Sequence, residues 1–174
     1  TRQQVAQLQP GGGHSDPPQP ILALAVSPGV AHGPTLATAA EDGSIRLRDA
    51  LTGQVRTTLN GHQGGVLALS FSPDGQRLAS AGYDRTVRLW DIAAGTQERV
   101  YEGHDQWVYA VSFLSGGERI ASGDFGGAIH IWNAADGGDV RRLERHYGAV
   151  RALQGTPVGR RLVSARSDHH LPVL

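Results

Sequence analysis

The chain has 174 residues, 39% of them hydrophobic, with 16 basic and 16 acidic side chains and a formal net charge of zero. That is enough apolar material for a core, and the charge balance excludes bulk attraction to nucleic acid or to an anionic membrane surface. The absence of cysteine excludes disulfides and thiolate metal sites, and no apolar run approaches the roughly 20 residues that cross a bilayer.

In chain order, TRQQVAQL (1–8) has no apolar signal region. It matches TGQVRTTL (52–59) in character, a turn followed by a short outer strand. QPGGGHSDPPQP (9–20) is rich in Pro and Gly and reads as an extended loop. Strands are predicted at about 21–26, 35–40 and 44–48, the first two joined by the lengthened hairpin loop SPGVAHGPT (27–35). VLALSF (66–71), RLASAG (77–82) and TVRLWD (86–91) have the period of two that marks strands. SPDG (72–75) and GYDR (82–85) are the turns between them, and AAGTQ (93–97) leads to a fourth strand at about 97–101. The same order follows over 102–143, and 144–174 stops within a third strand that contains Pro172, a poor residue for a central strand.

A repeat underlies this order. His62, His104 and His146 are spaced by 42 residues, as are Trp90 and Trp132. Ser80, Ser122 and Ser164 fall on the same grid, with Thr38 one period before them. Asp42, Asp84 and Asp168 do so too, with Gly126 at the missing place. A hydrolase uses one Ser–His–Asp set in an accessible cleft. A set that recurs with the structural period and adds a Trp is read as structural.

GHQGGVLALSFSPDGQRLASAGYDRTVRLWD (61–91), with Gly-His near the start and Trp-Asp at the end of a four-strand unit, resembles the WD-repeat (WD40) family of β-propellers. The resemblance covers essentially the whole chain. It implies an all-β fold of about four blades of four antiparallel strands, lettered a to d from the inside out. Residues 1–8 would be the outer strand of a preceding or closing blade and 9–20 a loop. A degenerate repeat would follow at 21–59, a consensus-like one at 60–101, a third at 102–143 and a truncated fourth at 144–174. Seven blades are common in the family, so three forms stay open: a fragment of a larger ring, a small closed ring, or copies that associate. ILALAV (21–26) and AVRAL (149–153) are expected to line two open faces.

The resemblance also assigns the recurring side chains. Trp90 would donate to Ser80, Ser80 to His62, and His62 to Asp84, tying the outer strands to the inner ones. Unit three keeps His104, Ser122 and Trp132 but has Gly126 at the Asp place. Unit four keeps His146, Ser164 and Asp168 but has Leu174 at the Trp place. Unit one has Pro20 and Arg48 where His and Trp belong. Only unit two is complete, so its neighbours are expected to be looser.

The family has no common catalysis and implies no cofactor; it works as a rigid platform for partners. Its frequent contact face carries the d–a and b–c loops. Tyr83 and Phe125 share one b–c loop position, and Trp107, Tyr109 and Tyr147 lie at the d–a loop or the start of strand a. Exposed loop aromatics are favoured anchors; the competing reading packs Trp107 and Tyr109 between blades. Residues 141–174 hold seven Arg and two acids, a local charge of about +5, which suits either an acidic or phosphate-bearing partner or an ordinary solvated face. His169 and His170 would point to opposite faces of a strand and His130 stands apart, so no metal site is expected. The expected function is a non-catalytic, cytoplasmic protein–protein interaction scaffold, with self-association of incomplete propellers as an added expectation. The lack of Met suggests a processed piece, the lack of Lys beside abundant Gly, Ala and Arg a GC-rich bacterial source, and the platform reading the sensor or scaffold region of a larger signalling protein. The alternatives are a propeller-class enzyme and phosphate or nucleic-acid contact through the basic last repeat.

Overall fold

Each tight turn has a local cause. In the turn after residue 71, Pro73 fixes its own φ, Gly75 adopts φ 70, and Gly75 N–H donates to the Ser72 carbonyl at 2.9 Å. The Ser72 hydroxyl donates to Asp74 at 2.5 Å and accepts from the Arg77 N–H at 2.9 Å, so the chain reverses within four residues. Alternating residues on either side then pair as antiparallel strands.

The computed structural model describes residues 19–29, 33–143, 148–156 and 161–167, and these contain strands and turns but no helix. The first sheet is β1 (Ile21–Val26), β2 (Thr35–Ala40), β3 (Ile45–Asp49) and β4 (Val55–Leu59). The second is β5 (Val66–Phe71), β6 (Arg77–Gly82), β7 (Val87–Asp91) and β8 (Thr96–Tyr101). The third is β9 (Val108–Phe113), β10 (Arg119–Asp124), β11 (Ile129–Asn133) and β12 (Asp139–Leu143). The fourth has two described strands, β13 (Val150–Gly155) and β14 (Leu162–Arg166). Each sheet is an antiparallel meander in chain order. The expected strand in 1–8 and the third strand of the last unit lie outside the described residues.

The sheets stack in sequence through their first strands, β1 on β5, β5 on β9 and β9 on β13. Three apolar clusters fill the three interfaces. Each follows one rule: small residues of one sheet's second strand meet large residues of the next sheet. Ala37 and Ala39 thus share a cluster with Val66, Leu78 and Trp90, and Ala79 and Ala81 with Val108, Ile120 and Trp132. At the third interface a Cβ on Gly123 would lie 2.5 Å from Val150 Cγ1, so glycine is needed for that approach.

Polar ties repeat with the same period. Arg77 donates to the Gly117 carbonyl at 3.2 Å, and Arg99 donates to the Ala135 and Asp136 carbonyls at 2.6 and 2.9 Å. Ser70 Oγ accepts from Phe113 N–H, and Ser112 Oγ from Gly155 N–H, at 3.1 and 3.4 Å.

One expectation about open faces needs correcting. Val150 and Leu153 of the 149–153 segment do not line an open face; both are buried against the third sheet, because that side of β13 faces the preceding unit. On β1 the corresponding side is open: Ile21 is 50%, Leu24 69% and Val26 60% exposed.

Candidate functional site

In the second sheet the recurring residues form one buried chain. Trp90 Nε1 donates to Ser80 Oγ at 2.8 Å, Ser80 Oγ lies 2.7 Å from His62 Nε2, and His62 Nδ1 lies 2.9 Å from Asp84 Oδ2. A carboxylate only accepts, so Nδ1 carries the proton and Nε2 accepts from the serine hydroxyl. Burial alone would raise the Asp84 carboxyl. The hydrogen bonds from His62, the Gln63 N–H and Thr86 outweigh burial and hold it below the usual carboxylate range. Ser80 and Ser122 are fully buried, so neither hydroxyl is placed to meet a substrate.

The third sheet departs from the expectation in two ways. Its acid is not missing: Asp124, at the end of β10 and two residues before Gly126, accepts from His104 Nδ1 at 2.9 Å, and His104 Nε2 lies 2.8 Å from Ser122 Oγ. A fixed 42-residue grid overlooks an acid displaced within the same turn; the DFGG stretch at 124–127 held the signal. Trp132, by contrast, does not donate to Ser122; its Nε1 finds no partner among the described residues. Its ring stacks on Tyr101 of β8, centroids 5.2 Å apart and planes within 1°. Trp90 meets Leu59 at the corresponding place, so the aromatic neighbour sets the different pose.

Tyr101 also brings in His130, another residue that repeat spacing gave no reason to pair. Its hydroxyl lies 2.7 Å from His130 Nδ1, and the His130 ring lies 4.3 Å from that of His104. His130 is buried; burial first, then the charges of His104 and Arg142, push its pKa down to about 4. Thr38 and Ser164, at the serine place of sheets one and four, have hydroxyls without a partner among the described residues. His146, Tyr147, Asp168, His169, His170 and Leu174 lie outside them. No group of three or more potential metal ligands occurs among the described residues.

The loop aromatics come together at one end of the sheets. Tyr83 packs edge-on against Trp107 at 5.2 Å, Trp107 lies 6.0 Å from Phe125, and Phe125 lies 6.0 Å from Tyr109. The Arg151 guanidinium sits 4.4 Å over the Tyr109 ring. Tyr83 is 38%, Trp107 46% and Phe125 47% exposed, whereas Tyr109 is half-buried. The row starts beside Leu22 of β1, which a Cβ on Gly65 would approach to 2.8 Å while also touching Tyr83. It therefore crosses residues from all four sheets.

Residues 53–91 and 95–133 match the family model described as "WD domain, G-beta repeat". Solved structures of U3-55K and of the RRP9 WD40 repeats are similar to the chain, at 25% and 26% identity and a TM-score of 0.84 each. Each match covers 93% of this chain, which spans about half of theirs, 50% and 49%. No curated protein matches the chain, and no described helix is long and apolar enough to cross a membrane. The two family matches fall on sheets whose meander, spacing and buried His–Ser–Asp ties are those of propeller blades, and residues 53–91 and 95–133 are repeats of the WD40 family.

Proposed function

We propose that the chain is part of a non-catalytic platform that docks a protein partner through the row Tyr83, Trp107 and Phe125. The family is generally one of interaction scaffolds. The observation that carries the reading to this face is the contiguity of the row. Three large aromatics from two neighbouring blades remain exposed while touching one another. Rigid aromatic surface of this kind gives contact area at little entropic cost. The basic stretch 141–174 supports a nucleic-acid reading less well: Arg142 is paired with Asp105 at 3.5 Å and Arg151 lies on Tyr109. A bacterial source rests on the arginine-only composition, and a place in a larger signalling protein on the platform role alone.

The test is a double variant, Tyr83→Ser with Phe125→Ser, compared with the parent in affinity capture from an extract of the source cells. The variant should keep the parent's far-UV spectrum and unfolding midpoint and lose the captured partner. Unfolding of the variant would make these residues core. Equal capture by both proteins would move the contact surface elsewhere.

A further inference from the structure

Arg85 is the one non-glycine residue with positive φ among the described residues, at φ 65. The same place in the neighbouring b–c turns, one period away on each side, holds Gly43 at φ 85 and Gly127 at φ 91. The turn therefore demands left-handed backbone in all three blades, which glycine supplies without strain and arginine does not. No hydrogen bond or ion pair of the described residues holds the exposed Arg85 guanidinium. Strain without a compensating contact inside the fold points outward, to a ligand.

The charges around the row give that ligand its sign. Most carboxylates of the flanking turns are engaged: Asp84 with His62, Asp124 with His104, Asp105 with Arg142, and Asp42 with the Ser44 N–H. Glu41, which takes in the first b–c turn the place of Tyr83 and Phe125, and Glu102, next to the outer strand β8, are exposed acids near the row without an ion pair among the described residues. The cations are not spent in this way. Arg85 follows Tyr83 by two residues in the same turn, and Arg151 closes the far end of the row without an ion pair. An aromatic strip with an available guanidinium near each end is complementary to a short segment that carries acidic side chains beside apolar ones. A nucleic-acid strand fits less well, because two guanidiniums do not make the run of cations that tracks a phosphate backbone.

Resting on the row as the docking surface, we propose that it takes an acidic peptide segment of a protein partner, with Arg85 as the residue that selects the acid. A random-heptapeptide phage library selected on the immobilised 174-residue chain tests this, with Arg85→Gly, Arg85→Lys and the Tyr83→Ser, Phe125→Ser pair as comparisons. Arg85→Gly relieves the strained turn, so its thermal midpoint should match or exceed the parent's and lost binding cannot be blamed on misfolding. The parent should enrich peptides that join Asp or Glu to an aromatic or leucine. Synthetic copies should bind Arg85→Gly roughly fivefold or more weakly and bind Arg85→Lys nearly as well as the parent. If Arg85→Gly enriches the same acidic peptides with equal affinity, the Arg85 assignment is overturned while the row stands. If the parent enriches nothing that the paired serine variant lacks, the row itself is overturned. Tighter binding of oligothymidine than of any selected peptide would overturn the choice of a peptide ligand.

Discussion

Ser80 and Thr38 occupy the same register in neighbouring blades, opposite Leu69 and Leu24, yet their hydroxyls fare differently. Ser80 Oγ joins Trp90 to His62, whereas Thr38 Oγ1 is buried without a partner among the described residues. The difference follows from the side chains around them, since Pro20 and Arg48 stand where His and Trp would complete the first blade. A buried group that loses its partner costs about 1–3 kcal/mol, and a buried hydroxyl that has none gains nothing by staying polar. Ser80→Ala should therefore destabilise by about 1–3 kcal/mol. Thr38→Val should be neutral or stabilise by up to about 1 kcal/mol. Urea midpoints of the two variants decide it, and equal losses would show that the second-blade network is not what holds its strands.

At the scale of the element, the third blade shows what the sequence made legible and what it hid. Period-two segments and glycine turns such as Ser115-Gly116-Gly117 placed its strands, because alternation and turn chemistry are local. The recurrence of His and Ser placed the His104–Ser122 half of the blade tie. Asp124 was hidden because only the carboxylate position must recur: β10 ends at the same grid place as β6, but its last residue, at the place of Gly82, is itself the acid that His104 meets. The Trp132 pose was hidden because Tyr101, which sets it, belongs to the preceding blade. The row of loop aromatics was legible one residue at a time, but its contiguity depends on how neighbouring blades pack. The buried pair of Tyr101 and His130 has a consequence in acid. The folded His130 pKa, about 4, lies below its ordinary value of 6.5, so the unfolded chain binds the extra proton between those limits. Stability contributed by this group is complete above about pH 6.5 and is lost progressively as pH falls toward 4. Asp84 and Asp124, held low by their histidines, act in the same direction at lower pH: their contribution is complete above the ordinary carboxylate range and is lost as pH falls below it. The parent's thermal midpoint should thus fall between pH 7 and pH 5, and His130→Gln, which cannot titrate, should flatten that fall. An unchanged slope in the variant would place the acid sensitivity elsewhere.

For the whole molecule, the exposed side of β1 states what is unfinished. Register places Ile21 opposite Ala40 as Val66 is opposite Gly82, and Val26 opposite Leu36 as Phe71 is opposite Leu78. The first loop is longer by three residues, so a fixed period misses this equivalence. Val66, Leu69 and Phe71 pack on the first blade, whereas Ile21, Leu24 and Val26 meet no blade among the described residues. Their natural occupant is the opposite face of another blade, which β14 presents at the far side through Val163 and Ala165, both half-buried. One chain's β14 face meeting another's β1 face is a head-to-tail contact, which forms a closed ring if its rotation closes and a filament if it does not. Because the chain spans about half the length of the similar propeller chains, 50% and 49%, two copies supply about one such length. The isolated 174-residue chain is therefore expected to dimerise. Leu24→Arg places a charge on a position that is 69% exposed in the single chain, so it should leave folding intact and break the association. Light scattering at increasing concentration gives the answer. A parent that stays monomeric while well folded would mean that the β1 face is covered from within the chain. A dimer unchanged by Leu24→Arg would mean that the copies meet through another surface, and the aromatic row would then be the first to test.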